Sequence, residues 1–161
     1  MNIYLSDLDA TLDLGRLIGK QASNGQVFAV LGDLGAGKTS LAQGVAMGLG
    51  VSVDSYVNSP TFTLHQRHEG RLRFHHIDLY RLNSTEELIN LGLRELVGVE
   101  GVSYIEWPNR APEFLPHETV WIRLGFYDEG RVVSFGHSND AARPFIESVC
   151  NLARKQFDVI P

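Results

Sequence analysis

The segment Gly32-Asp33-Leu34-Gly35-Ala36-Gly37-Lys38-Thr39 constrains this chain more than any other feature. It follows the pattern G-x-x-x-x-G-K-[ST], a loop whose backbone N–H groups wrap a phosphate. Close wrapping needs small residues, and some positions need a positive φ, so glycine is favoured. The pattern requires a strand before it and a helix after it. Val27-Phe28-Ala29-Val30-Leu31 is a continuous apolar run, as expected of a strand buried on both faces. Lys38 to about Leu49 reads as a helix stopped by Gly48 and Gly50. The helix N-terminus then aims its N–H groups at the anion. Gly35, Ala36 and Gly37 supply the inner backbone of the cradle, and Lys38 reaches the β- and γ-phosphates. The Thr39 hydroxyl is placed to ligate Mg²⁺, and Ser40 adds a hydroxyl near the α-phosphate.

Such a loop needs an acid for the metal, at the end of a neighbouring strand. Two acids qualify. Glu106 closes Val102-Ser103-Tyr104-Ile105, and Asp78 closes Phe74-His75-His76-Ile77. Either could hold Mg²⁺, directly or through water, or orient the attacking water. Ser59-Pro60-Thr61 lies between the loop helix and the next strand, where Thr61 can carry a hydroxyl toward the metal or γ-phosphate. A plain proline turn into a strand is an equal reading of that segment.

Around this nucleus the chain reads as one α/β domain over residues 1–161, a mixed sheet in a three-layer, P-loop NTPase-like fold with added antiparallel hairpins. Met1 to Leu5 reads as an edge strand. Ser6-Asp7 caps a helix through about Ala22, with Leu8, Leu12, Leu14, Leu17 and Ile18 on or near one face. Thr61–His68 and Arg71–Leu79 form one hairpin, and Val120–Phe126 with Arg131–Phe135 a second. Ser84-Thr85-Glu86-Glu87 opens a short helix, and the last helix spans Asp140 to Phe157.

Charge narrows the partners. Lys plus Arg is 14 against 19 Asp plus Glu, a net charge of −5, and lysine occurs only at positions 20, 38 and 155. Autonomous nucleic-acid binding draws on basic excess, which this chain lacks. The single cysteine, Cys150, permits no internal disulfide and reads as a small buried hydrophobe. No apolar run reaches membrane-span length, and the N-terminus has no leader pattern, so a cytoplasmic protein without membrane contact is expected. His65, His68, His75 and His76 share one hairpin. Alternation of side chains along a strand keeps His75 and His76 from pointing the same way, and no cysteine completes a zinc set, so they read as surface or nucleotide-proximal histidines. Arg67, Arg71, Arg73 and Arg81 form a local basic group, read equally as a solvated face or as a contact for a partner or a tRNA phosphate.

The loop at 32–39, Ser59-Pro60-Thr61-Phe62-Thr63-Leu64, His76-Ile77-Asp78-Leu79-Tyr80-Arg81-Leu82 and Ile105-Glu106-Trp107-Pro108, in this order and spacing, resemble the bacterial TsaE (YjeE) family over nearly the whole chain. The resemblance implies an ATP- and Mg²⁺-dependent subunit of the machinery that makes N6-threonylcarbamoyladenosine at position 37 of tRNAs reading ANN codons. It would work with TsaD and TsaB, contact tRNA only through them, and hydrolyse ATP weakly alone. It implies Thr39 and Glu106 as Mg²⁺ ligands, importance for Asp78 and Trp107, and nucleotide contacts at Thr11 (near adenine) and Arg131. The competing readings are a P-loop small-molecule kinase and a non-catalytic nucleotide-dependent binding module. A GTP switch lacks its Asn-Lys-x-Asp box, and protein-kinase and α/β-hydrolase signatures are missing.

Overall fold

The computed structural model describes residues Met1–Pro161. Its strands are β1 (Asn2–Leu5), β2 (Gln26–Leu31), β3 (His65–His68), β4 (Phe74–Asp78), β5 (Val102–Glu106), β6 (Val120–Tyr127), β7 (Gly130–His137) and β8 (Val159–Ile160). The helices are α1 (Leu8–Gln21), α2 (Lys38–Gly48), α3 (Thr85–Asn90) and α4 (Arg143–Ala153). All strands join one mixed sheet in the order β3-β4-β5-β2-β6-β7-β1-β8. The β4-β5-β2-β6 centre is parallel, and the flanking pairs are antiparallel.

Alternation along the central strands feeds two cores. Phe28, Val30, Phe74, Val102 and Tyr104 join the larger cluster with α1, α2 and α4. Val27, Ile77 and Ile105 point the other way, into a smaller cluster with Leu88 of α3, Leu93 of a 3₁₀ turn at Leu93–Glu95 and the loop residue Val97. The result is helix, sheet and helix-plus-loop in three layers. Burying each large apolar side chain contributes about 1.5–3 kcal/mol, so the two clusters account for the continuous apolar reading of β2 and β5.

Helices α1 and α2 cross at a seam of glycines. A Cβ on Gly15 would sit 2.6 Å from the Leu41 carbonyl oxygen, and one on Gly44 would sit 2.4 Å from that of Leu12. Gly19 and Gly48 meet one turn further on. Backbone-to-backbone approach of this kind fixes α1 against the helix that opens at Lys38, and so fixes Thr11 relative to the phosphate loop.

Several expectations need correction. β1 is not an edge strand, because β8 pairs outside it. The first hairpin is shorter than expected: β3 begins only at His65, after Leu64 at φ 63. Leu8 is exposed, and the inward face of α1 is instead Thr11, Leu14, Leu17 and Ile18 with the two glycines. The last helix covers only Arg143–Ala153, preceded by a 3₁₀ turn at Asp140–Ala142, because Pro144 suits a first helical turn. His75 and His76 are both fully buried. Alternation does send them to opposite faces, but β4 lies between β3 and β5 and is covered on both sides. The four arginines are solvent-exposed, which agrees with the solvated-face reading, and each has a partner within the chain. Arg71 donates to the carbonyls of Gly19, Lys20 and Ala22 at the end of α1, Arg67 and Arg73 pair with Glu69, and Arg81 lies over the Phe62 ring. Cys150 is half-buried, and burial raises its thiol pKa. No helix is long and apolar enough to cross a membrane.

Candidate functional site

The site forms where the carboxyl ends of β2, β4 and β5 meet, the usual ligand position of open parallel sheets. β2 runs directly into the glycine loop, and α2 leaves it. Gly37 stands at the helix start with φ 104, a conformation that glycine adopts without penalty, and no side chain caps α2. Its first N–H groups therefore point to the loop concavity with no side-chain acceptor.

Lys38 is 5% exposed, and its ammonium donates to the carbonyls of Gly32 (2.7 Å) and Asp33 (2.9 Å). Burial lowers its pKa, opposed by the negative charges of Glu106, Asp78 and Asp33. The Trp107 ring covers the same ammonium, 4.3 Å from ring centroid to Nζ, a cation–π contact. Trp107 itself holds φ 57, a left-handed backbone that costs a bulky residue free energy and turns the chain sharply after β5. Its ring packs on Tyr80 at 5.0 Å.

The two strand-end acids are direct register partners across β4 and β5. Both are 2% exposed, yet they face different neighbours. Oε1 of Glu106 accepts from the Thr39 hydroxyl at 3.1 Å and lies 2.7 Å from Nε2 of His76. Asp78 instead holds the 59–61 segment. Its Oδ2 accepts from the Ser59 hydroxyl and from the Thr61 hydroxyl (3.1 Å), and its Oδ1 accepts from the Tyr80 N–H (2.9 Å). Beneath them the buried Tyr104 hydroxyl donates to the Lys38 carbonyl at 2.6 Å, tying β5 to the first turn of α2. Burial pushes the Tyr104 pKa well up, with the Glu106 charge adding to it, so the phenol remains a donor.

Two adjoining depressions collect the residues singled out from the sequence. One, of about 340 Å³, is lined by Lys38, Thr39, Ser59, Thr61, Asp78, Tyr80, Glu106 and Trp107 together with Gly35, Gly37 and Ser40. The other, of about 270 Å³, shares Gly35, Gly37 and Ser40 and adds Ala36, Thr11 and Arg131. Arg131 reaches the Gly35 carbonyl at 3.4 Å and lies over the Phe126 ring. Thr11 is buried in the first turn of α1, whose N-cap Asp7 accepts from the Ala10 N–H. The paired hard oxygens of Thr39 and Glu106 form a donor set of the kind that suits Mg²⁺. A separate, more apolar groove between α2 and residues 51–58 shares no lining residue with either depression.

The family description "Threonylcarbamoyl adenosine biosynthesis protein TsaE" matches residues 5–133, which takes in the whole of both depressions. The chain belongs to the TsaE family. It is 42% identical over 133 residues to the tRNA threonylcarbamoyladenosine biosynthesis protein TsaE of Nostoc sp., covering 80% of each chain. To the protein of the same name from Treponema pallidum it is 40% identical, covering 72% of this chain and 84% of that one. The Bacillus subtilis TsaE is 38% identical, with 79% of each covered. Among solved structures, that of Bacillus subtilis YdiB superposes with a TM-score of 0.76 at 27% identity, covering 96% of this chain and 94% of that one.

In the TsaE-family chain the residues named from the sequence lie together around the two depressions, and other polar side chains lie among them. Tyr80 and Tyr104 have no role of their own in the sequence reading, Ser59 enters it only with its Ser59-Pro60-Thr61 segment, and His76 is assigned only as one of four surface or nucleotide-proximal histidines. Ser59 stands in the same short motif as Thr61, and Tyr80 is two residues after Asp78, so both were within reach. His76 and Tyr104 sit on buried strand positions, where an inward polar residue is itself the signal.

Proposed function

We propose that this TsaE-family chain is a Mg²⁺-dependent ATP-binding and ATP-hydrolysing subunit with a P-loop NTPase-like fold. It serves threonylcarbamoylation of adenosine 37 in tRNAs reading ANN codons, acting in the cytoplasm with TsaD and TsaB. The observation that carries the nucleotide reading is the 3.1 Å contact between Thr39 of the loop helix and Glu106 at the end of β5, beside an uncapped helix N-terminus. The backbone of Gly35 to Ser40 cradles the phosphates, and the Lys38 ammonium neutralises their oxygens. Thr39 and Glu106 would hold Mg²⁺, which would supply positive charge to offset that of the phosphate oxygens. Asp78 orders the Ser59 and Thr61 hydroxyls at the mouth of the site. Thr11 and Arg131 line the adjoining depression on the nucleoside side. Trp107 packs over Lys38 and shields it from solvent.

The net charge of −5 and the internally paired arginines favour reaching tRNA through partners rather than directly. They also fit slow solitary turnover, because transition-state charge can be supplied in trans. The deciding experiment is ATP hydrolysis with Mg²⁺ by the free chain and by the chain with TsaB and TsaD, with Glu106→Ala as control. Partner stimulation of about tenfold or more, abolished by the control, is expected. Bound nucleotide without turnover in either setting would move the function to a binding module, and a phosphorylated small molecule would move it to a kinase.

A further inference from the structure

We propose that His76 is a positioning residue: its Nε2–H fixes the Glu106 carboxylate so that it and the Thr39 hydroxyl present a preset pair of oxygens to the divalent cation. This rests on the reading above that the site takes Mg²⁺ with a nucleotide.

His76 has no solvent exposure, and Glu106 is 2% exposed. A buried carboxylate is costly unless it accepts hydrogen bonds. The structure gives Glu106 two donors, and both fall on one oxygen, Oε1: His76 Nε2 at 2.7 Å and Thr39 Oγ1 at 3.1 Å. In the proposed role the shared hydrogen sits on Nε2, since a carboxylate oxygen can only accept it. The other ring nitrogen, Nδ1, is buried without a partner, which costs less for a bare acceptor than for an orphaned N–H. The ring cannot readily turn. Phe74 flanks it at 5.8 Å and Tyr104 meets it edge-on at 5.6 Å and 84°. Tyr104 is in turn bonded to the Lys38 carbonyl, so the ring that orients Glu106 and the helix that carries Thr39 are held by the same buried residue. With Oε1 fixed, Oε2 is the carboxylate atom that makes no hydrogen bond within the protein. Partners of this kind commonly tune metal affinity by about 10–100-fold.

Two variants separate hydrogen bonding from packing. His76→Phe keeps an aromatic ring against Phe74 and Tyr104 but has no donor. His76→Gln can donate from its amide but loses the ring. Mn²⁺ binding to the ADP complex is measured by electron paramagnetic resonance, beside ADP binding in EDTA as a check on the pocket. The phenylalanine variant is expected to lose about 10–100-fold in Mn²⁺ affinity with ADP binding in EDTA retained. The glutamine variant should remain closer to the wild type than to the phenylalanine variant. Full Mn²⁺ affinity in the phenylalanine variant, or equal loss in both, would overturn the proposal while leaving the nucleotide reading intact. A wild type that binds ADP without Mn²⁺ would sink the metal reading and this role together. If the phenylalanine variant does not fold, ¹⁵N shifts of the wild-type ring decide: a protonated Nε2 beside a bare Nδ1 supports the role, and the opposite tautomer overturns it.

Discussion

Glu106 and Asp78 are neighbours in register, equally buried, and both end a parallel strand. Their surroundings set them apart. Glu106 is bonded to the framework: to the first turn of α2 through Thr39 and to the interior of β4 through His76. Asp78 is bonded to the 59–61 segment, whose residues belong to no helix or strand, and to the N–H of Tyr80 just beyond β4. Identical chemistry at adjacent positions has thus been given one fixed oxygen pair and one clamp on a loop. On the proposed nucleotide reading this separates a group held in place before the ligand arrives from one that orders the 59–61 segment at the mouth of the site.

The largest effect should follow loss of the fixed acid. Glu106→Ala removes a buried charge-stabilising group and leaves His76 and Thr39 without their acceptor. Partner-stimulated ATP hydrolysis should fall by about 10²–10³-fold, the usual cost of one preorganised electrostatic contact. Asp78→Ala should cost less, up to about 10²-fold, because it misplaces a loop rather than deleting a metal-side ligand. A sharper separation comes from Mn²⁺ affinity of the ADP complex, which should drop for Glu106→Ala and hold for Asp78→Ala. If Asp78→Ala lost Mn²⁺ as severely, the division of labour between the two acids would be broken.

Ser59→Ala tests the clamp alone. A hydrogen bond to a charged group contributes about 1.5–3 kcal/mol, and Thr61 shares the same carboxylate oxygen, so the lower end applies. Turnover should fall by about tenfold, and Ser59→Thr, which keeps the hydroxyl, should recover most of it. Full activity in Ser59→Ala would assign the loop's placement to Thr61 and Pro60 instead.

The sequence was legible where the chemistry is local. The glycine loop, its strand and its helix occupy consecutive residues, and a strand-end acid can be read from five residues of context. What stayed hidden depends on pieces far apart in the chain. The two-residue strand β8 carries no pattern of its own and exists because it pairs with β1 across the length of the chain. For the histidines of β4 the sequence leaves surface and nucleotide-proximal positions both open, because a strand's second face is covered only by virtue of its place in the sheet. Gly15, Gly19, Gly44 and Gly48 look like helix-weakening residues until two helices are brought together, when their four-residue spacing on both becomes the reason for the contact. The bond between His76 and Glu106 links two strands 30 residues apart and could not be drawn before those strands were known to be adjacent.

The comparison also predicts a pH effect confined to the clamp side. The hairpin of β3 and β4 carries Asp78, and next to it His65 Nε2 lies 3.1 Å from His75 Nδ1. Burial, helped by the nearby His75 and Arg67 charges, lowers the His65 pKa to about 4. His75 is lowered in the same direction, again chiefly by burial, although the Glu100 charge opposes it. An unfolded histidine titrates near 6.5. Between these two values the unfolded chain binds more protons than the folded one, so acid favours unfolding. Stability should be complete above about pH 6.5 and decline as the pH falls toward 4. The melting temperature should therefore be lower at pH 5 than at pH 7.5, and amide exchange should quicken in β3 before it does in β2 or β5. His65→Gln removes one of the responsible groups and should flatten the slope. An unchanged slope in that variant would place the acid sensitivity elsewhere and detach it from the element that holds Asp78.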